Sequence, residues 1–205
     1  MAYGLYAFVT LVALVNPVEA AATFASLTTD FTSIEQRRIA LRSVLIAGGI
    51  LLVFGFVGEE LLRALGIGFP AFRIAGGLLL LKVAFDMVFA KAAGQERLTT
   101  DERREATQTD DPTVFPLAIP IITGPGALTT IVTLMATTHD DAFRVGALVA
   151  VVVVVFAITY IAMRGAQWLQ GILGATGVNA ISRIMGILIA AISVQLIIIG
   201  VKALL

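Results

Sequence analysis

The chain has 205 residues, 59% of them hydrophobic and 14% charged, where a soluble domain carries roughly 45–50% and about 25%. Fourteen basic residues balance fourteen acidic ones, which argues against nucleic acid as a partner. Cysteine is absent and His139 is the single histidine, which excludes disulfides, thiolate metal sites and the H-E-x-x-H zinc helix.

Charges mark the ends of six stretches near the about 20 apolar residues that a membrane-crossing helix needs. The first runs from about Tyr3 to Leu27; no Lys or Arg precedes it, so it lacks the basic start of a signal peptide and reads as a mature helix. The second spans about Leu41 to Ala64, bounded by Arg42 and by Glu59, Glu60 and Arg63. The third, about Phe69 to Ala90, contains Arg73, Lys82 and Asp86. Gly94 to Asp111 is rich in charge and reads as a solvated linker, either a short amphipathic helix or an open connection. The fourth span starts near Val114, and His139 follows it in a short loop with Asp140 and Asp141. The fifth fills the charge-free interval between Arg144 and Arg164, and the sixth runs from about Val178 to Leu204. Trp168, just after Arg164, suits an interfacial anchor.

The two halves share an order of features. Asn16-Pro17 interrupts the first span and Gly124-Pro125-Gly126 the fourth, with residues 16 and 124 lying 108 apart. Arg73-Ile74-Ala75-Gly76 in the third span answers to Arg183-Ile184-Met185-Gly186 in the sixth, 110 apart. Glycines precede each arginine: Gly66 and Gly68 in one half, Gly174 and Gly177 in the other. The expected fold is an all-α polytopic membrane protein of six helices in a 3+3 inverted repeat, with helices 1 and 4 interrupted. It forms one transmembrane domain, 1–205: repeat 1 over about 1–92, a cytoplasmic linker over about 93–113, and repeat 2 over about 114–205. With both termini outside, the cytoplasmic side holds Arg37, Arg38, Arg42, Lys91, Arg97, Arg103, Arg104 and Arg164, against Arg63, Arg144 and Lys202 outside. The positive-inside rule favours that orientation.

A proline removes one helical hydrogen bond and pushes its predecessor off helical angles. Freed backbone groups in a membrane must be met by protein or by a water-filled cavity. Paired interruptions in a repeat therefore point to a midplane site, expected around Asn16, Pro17, Glu19, Thr123, Gly124, Pro125 and Gly126. The start of each second half-helix presents N–H groups suited to a carboxylate. Asn16 and the hydroxyls of Thr123, Thr129 and Thr130 suit an ammonium group, and Ala20, Ala21, Ala22 and Ala127 leave room for a small side chain.

Asn16-Pro17, Arg73-Ile74-Ala75-Gly76-Gly77, Pro116-Leu117-Ala118-Ile119-Pro120 running into Thr123-Gly124-Pro125-Gly126, and Ala180-Ile181-Ser182-Arg183-Ile184-Met185-Gly186 together resemble the MarC/SnatA family over nearly the whole chain. The resemblance implies a six-helix inner-membrane protein classed with neutral amino-acid transporters. Glu19, Lys82 and Asp86 lie outside the resembling motifs, so their roles rest on chemistry alone.

Ionisable groups inside spans suggest function by default. Lys82 and Asp86, four apart on one helix, are expected to pair with each other. Arg73 and Arg183 are expected to support the fold by donating to carbonyls freed at the neighbouring breaks, with direct substrate contact as the other reading. Ser193 and Gln195 suit hydrogen bonds between helices. Glu19 has two readings: a carboxylate capping the second half-helix, or a proton carrier facing the site.

The function expected is secondary transport or exchange of small neutral amino acids such as glycine, alanine, serine or threonine, with the lipid bilayer as surroundings and a homo-oligomer left open. A membrane-embedded enzyme would need a nucleophile with its base, paired acids or a metal; no such set is legible, and no cofactor or ATP-binding motif is present. Export of lipids or drug-like solutes, or a non-transporting partner role, is compatible with the same architecture.

Overall fold

The computed structural model describes residues 2–89, 111–138 and 141–204; most of the 93–113 linker, His139 and Asp140 lie outside them. The described residues are helical, with no strand. α1 (Ala2–Val15) and α2 (Pro17–Leu27) meet at Asn16, and α3 (Ser33–Ala64) and α4 (Phe69–Phe89) follow. A wide-turned segment, α5 (Thr113–Ile122), leads into α6 (Pro125–Ala136), then α7 (Ala142–Arg164) and α8 (Ala166–Lys202).

Local chemistry accounts for the element ends. α3 starts at a capping box: the Thr32 side chain accepts from the Glu35 N–H while Glu35 accepts from the Thr32 N–H at 2.8 Å. Its 32 residues reach about 48 Å at about 1.5 Å per residue, beyond the about 30 Å of a bilayer core. Arg37, Arg38 and Arg42 thus sit on exposed turns of α3 itself rather than in a loop. Asp141 caps α7 by accepting from the N–H groups of Phe143 and Arg144. α8 bends at Gly174, whose φ of 59° is a left-handed value that glycine adopts without penalty, so Thr176–Lys202 forms the apolar span.

Among the described residues, four stretches suit a membrane crossing by length and composition: Tyr3–Leu27, Ser33–Ala64, Ala142–Arg164 and Thr176–Lys202. The α5–α6 pair, bent by 61°, makes a fifth if it counts as one span. α4 is long enough at 21 residues but carries Arg73, Lys82 and Asp86.

α3 packs against α5, α6 and α7, while α7 packs against α1, α2 and α3. α4 and α8 share the most extensive contact and run antiparallel: Gly77 faces Ser193 and Ile197, whereas Gly200 faces Pro70 and Ile74. A Cβ at Gly77 would stand 2.6 Å from Ile197 Cγ1 and 2.8 Å from the Ser193 carbonyl, so this approach needs glycine. Small residues at close crossings are how helices gain packing without a hydrophobic drive. The core among α1, α3, α5, α6 and α7 holds Leu11, Leu51, Leu117, Ile131 and Leu148, all fully buried.

Candidate functional site: a cavity at the second helix break

The first break is a single residue. Asn16 takes a left-handed conformation (φ 47°, ψ 74°), which asparagine tolerates better than most residues. The helical ladder passes across it: Asn16 N–H donates to the Val12 carbonyl at 2.9 Å and Ala20 N–H to the Asn16 carbonyl at 3.0 Å. Side chains close the gap left by Pro17. Asn16 Oδ1 accepts from the Glu19 N–H at 3.4 Å, and Asn16 Nδ2 donates to Glu19 Oε2 at 2.8 Å. Asn16, Pro17 and Glu19 are all buried. Asn16 is thus the capping residue of α2, and the Glu19 carboxylate accepts from the Asn16 side chain.

The second break is longer and open. Phe115 and Ile119, each before a proline, are extended, as the proline ring requires. The turns between them are wide: Leu117 N–H reaches the Pro112 carbonyl and Thr123 N–H the Ala118 carbonyl, five residues back in each case. Pro125 then begins α6 at its first position, where its missing N–H costs nothing. Gly124 precedes it as cap residue, and no side chain caps α6. Gly126 lies directly on α4: a Cβ there would stand 1.9 Å from Leu80 Cδ2.

A cavity of about 190 Å³ lies between this break and α4. Gly124, Pro125, Gly126 and Ala127 line it from one side and Lys82 and Asp86 from the other. Leu79, Leu80, Val83 and Met87 make its α4 wall apolar, and Leu14 and Ile189 complete it from α1 and α8. Lys82 Nζ and Asp86 Oδ2 are 2.7 Å apart, so the expected pair forms. The α4 face of the cavity had a signal in the sequence: Leu79, Lys82, Val83, Asp86 and Met87 recur at helical spacing and share one face.

Other expected groups lie elsewhere. Asn16, Pro17, Glu19 and Thr123 do not line the cavity. The Thr123 hydroxyl donates to the Ala47 carbonyl on α3 at 3.1 Å, and that of Thr129 to the Pro125 carbonyl at 2.9 Å. Thr130 Oγ1 is buried with no hydrogen-bond partner among the described residues. Two support roles are corrected. The Arg73 guanidinium lies over the Phe69 ring of its own helix, 5.1 Å from the centroid, and its buried Nε meets no carbonyl; an adjacent aromatic face is the nearer partner. Arg183 is exposed on α8. The Ser193 hydroxyl turns back to the Ala190 carbonyl on its own helix at 2.7 Å, and Gln195 is exposed. Trp168 is exposed on the first turn of α8.

No solved structure matches this chain. It is similar to a UPF0056 membrane protein of Methanocaldococcus jannaschii, 33% identical over 202 residues that cover 98% of this chain and 96% of that protein. The UPF0056 membrane protein YhcE of Escherichia coli K12 is 34% identical over 196 residues, covering 95% and 90%. The UPF0056 membrane protein YvbG of Bacillus subtilis is 31% identical over 197 residues, covering 96% and 93%. The family described as MarC family integral membrane protein matches residues 1–205. From end to end, this chain belongs to the MarC family of integral membrane proteins.

Proposed function

We propose that the chain is a secondary transporter or exchanger of small neutral amino acids of the glycine, alanine, serine or threonine type, working in the inner membrane without a cofactor. The observation that carries this reading is the cavity at the second break, about 190 Å³. A water molecule's share of liquid volume is about 30 Å³, so the space suits a small solute. The uncapped start of α6 favours a carboxylate, and the apolar wall from Leu79 to Met87 favours a short uncharged side chain. Interrupted helices are where transporters place such sites.

The reading includes six spans, with α4 as the third, arranged as two three-span units of opposite direction. Packing partners support it, because they exchange between halves: α3 lies on α6 as α7 lies on α2, and α4 lies on α6 as α8 lies on α2. Gly66 and Gly174, 108 apart, both have left-handed φ, 69° and 59°. Within this plan Asn16, Pro17 and Glu19 form the paired half-site, reaching substrate when their box opens, and Thr123 holds the second break to α3. Both termini lie outside and the linker is cytoplasmic, on the count of basic residues.

Uptake and counterflow in liposomes test the reading, using glycine, alanine, serine, threonine and larger amino acids, with and without a pH gradient. Saturable exchange of the small ones is expected; exchange of none of them would overturn it. Glu19→Gln is expected to keep the full response to the gradient, because its carboxylate is engaged in the cap. Loss of that response would make Glu19 the proton carrier.

A further inference from the structure

The cavity contains an element that helix breaks do not explain. Lys82 and Asp86 are the charged residues among those described as lining it, and they sit one turn apart on α4. Lys82 lies seven residues before Phe89, the last described residue of α4, about 10 Å along the axis at about 1.5 Å per residue. Lys82 remains 74% exposed and Asp86 is partly covered, at 40% exposed. With α4 as a span, such a pair is a liability in the membrane, and replacing an ion pair by apolar residues is often neutral or stabilising. Its place in an otherwise apolar stretch therefore calls for a use.

We propose that Lys82 and Asp86 are the charge-recognition residues of this cavity, taking a zwitterion whose carboxylate, set at the start of α6, also accepts from Lys82 and whose ammonium donates to Asp86. The intrahelical pair opens to admit it. This assignment rests on the transporter reading above. Its logic is compensation. The pair is neutral as a unit, so a ligand with one charge that binds one partner leaves the other without its counter-charge. A ligand carrying both charges satisfies both partners. The pair thus selects for the zwitterion, while Leu79, Val83 and Met87 on the same face select for a small apolar side chain.

Equilibrium binding to the full chain in lipid nanodiscs tests this with three ligands: alanine, propionate, which lacks the ammonium, and ethylamine, which lacks the carboxylate. Wild-type protein is expected to bind alanine well above either analogue. Asp86→Asn and Lys82→Met are each expected to weaken alanine about 10- to 100-fold, the range for one hydrogen bond to a charged group. The losses differ in kind: Asp86→Asn erases the preference for alanine over propionate, and Lys82→Met the preference over ethylamine. A merely structural pair would affect all three ligands alike or none. The double variant Lys82→Met, Asp86→Leu removes both charges from the helix, so it keeps the fold and is expected to lose alanine binding. Unchanged alanine affinity and unchanged preferences in these variants would overturn the assignment alone. Wild-type protein that binds no alanine would overturn the transporter reading and the assignment with it.

Discussion

The two helix breaks occupy matched places in the chain and resolve the same problem in opposite ways. Both put a proline at the start of a half-helix, Pro17 and Pro125, 108 residues apart. At the first, Asn16 and Glu19 fill the gap with a reciprocal hydrogen-bonded box, and Pro17 is buried. At the second, the corresponding positions are Gly124 and Ala127, which have no polar side chain to offer, and Pro125 is exposed. A break supplied with its own donors and acceptors closes on itself; a break without them leaves backbone groups for something else to satisfy. The cavity lies at the second and not at the first.

The largest effect is expected from filling the open break. Gly126→Leu drives a side chain into Leu80, since even a Cβ would stand 1.9 Å from Leu80 Cδ2 and 2.7 Å from Cγ. Overpacking of this kind destabilises by about 1–3 kcal/mol, and the displaced α6 should abolish transport while membrane insertion survives. The first break carries Val18 at the matching position, so a side chain is already accommodated there. Counterflow together with size-exclusion profiles reads both outcomes, and full transport by the Gly126→Leu variant would remove α6 from the site.

An intermediate effect is expected from opening the closed break. Asn16→Ala removes the cap, about 0.5–2 kcal/mol, and leaves a Cβ residue in a left-handed conformation, about 1–2 kcal/mol more. Asn16→Gly accepts that conformation and loses only the side-chain bonds. Thermal unfolding of detergent-purified protein should therefore rank wild type above Gly above Ala. Equal melting temperatures for the two variants would show that the φ of 47° at Asn16 contributes nothing to the difference.

The smallest change in stability, with a clear change in binding, is expected from giving the open break a cap. Gly124 has extended angles, φ −78° and ψ 167°, the usual geometry of a capping residue. Gly124→Asn should then gain about a few tenths of a kcal/mol. Its side chain would occupy N–H groups that a substrate carboxylate needs, so alanine affinity should fall as stability rises. Affinity that rises with stability would contradict the idea that the start of α6 takes the carboxylate.

Which of these features the amino-acid order reveals depends on how local their physics is. Proline acts on its own backbone and its neighbour's, so both breaks were legible at Asn16-Pro17 and Gly124-Pro125. The Lys82–Asp86 contact needs only helical spacing, and it forms at 2.7 Å. Arg73 and Arg183 were not legible in the same way. They share a four-residue context, yet one lies over Phe69 and the other is exposed, because a long side chain takes whichever neighbour the packing brings. Thr123 likewise turns to the Ala47 carbonyl on α3, a partner that no motif around Thr123 names.

Sequence by itself thus determined the membrane class, both breaks and the ion pair, since each follows from composition or from contacts within about one turn. Tertiary structure decided which break is open, what faces it and how α4 meets α6 and α8. Those outcomes turn on contacts between residues far apart in the chain: Gly126 on Leu80, Gly77 on Ile197, and a cavity wall assembled from α1, α4, α5, α6 and α8. Glycine positions in the sequence permit such approaches without specifying the partner; the packed helices do that.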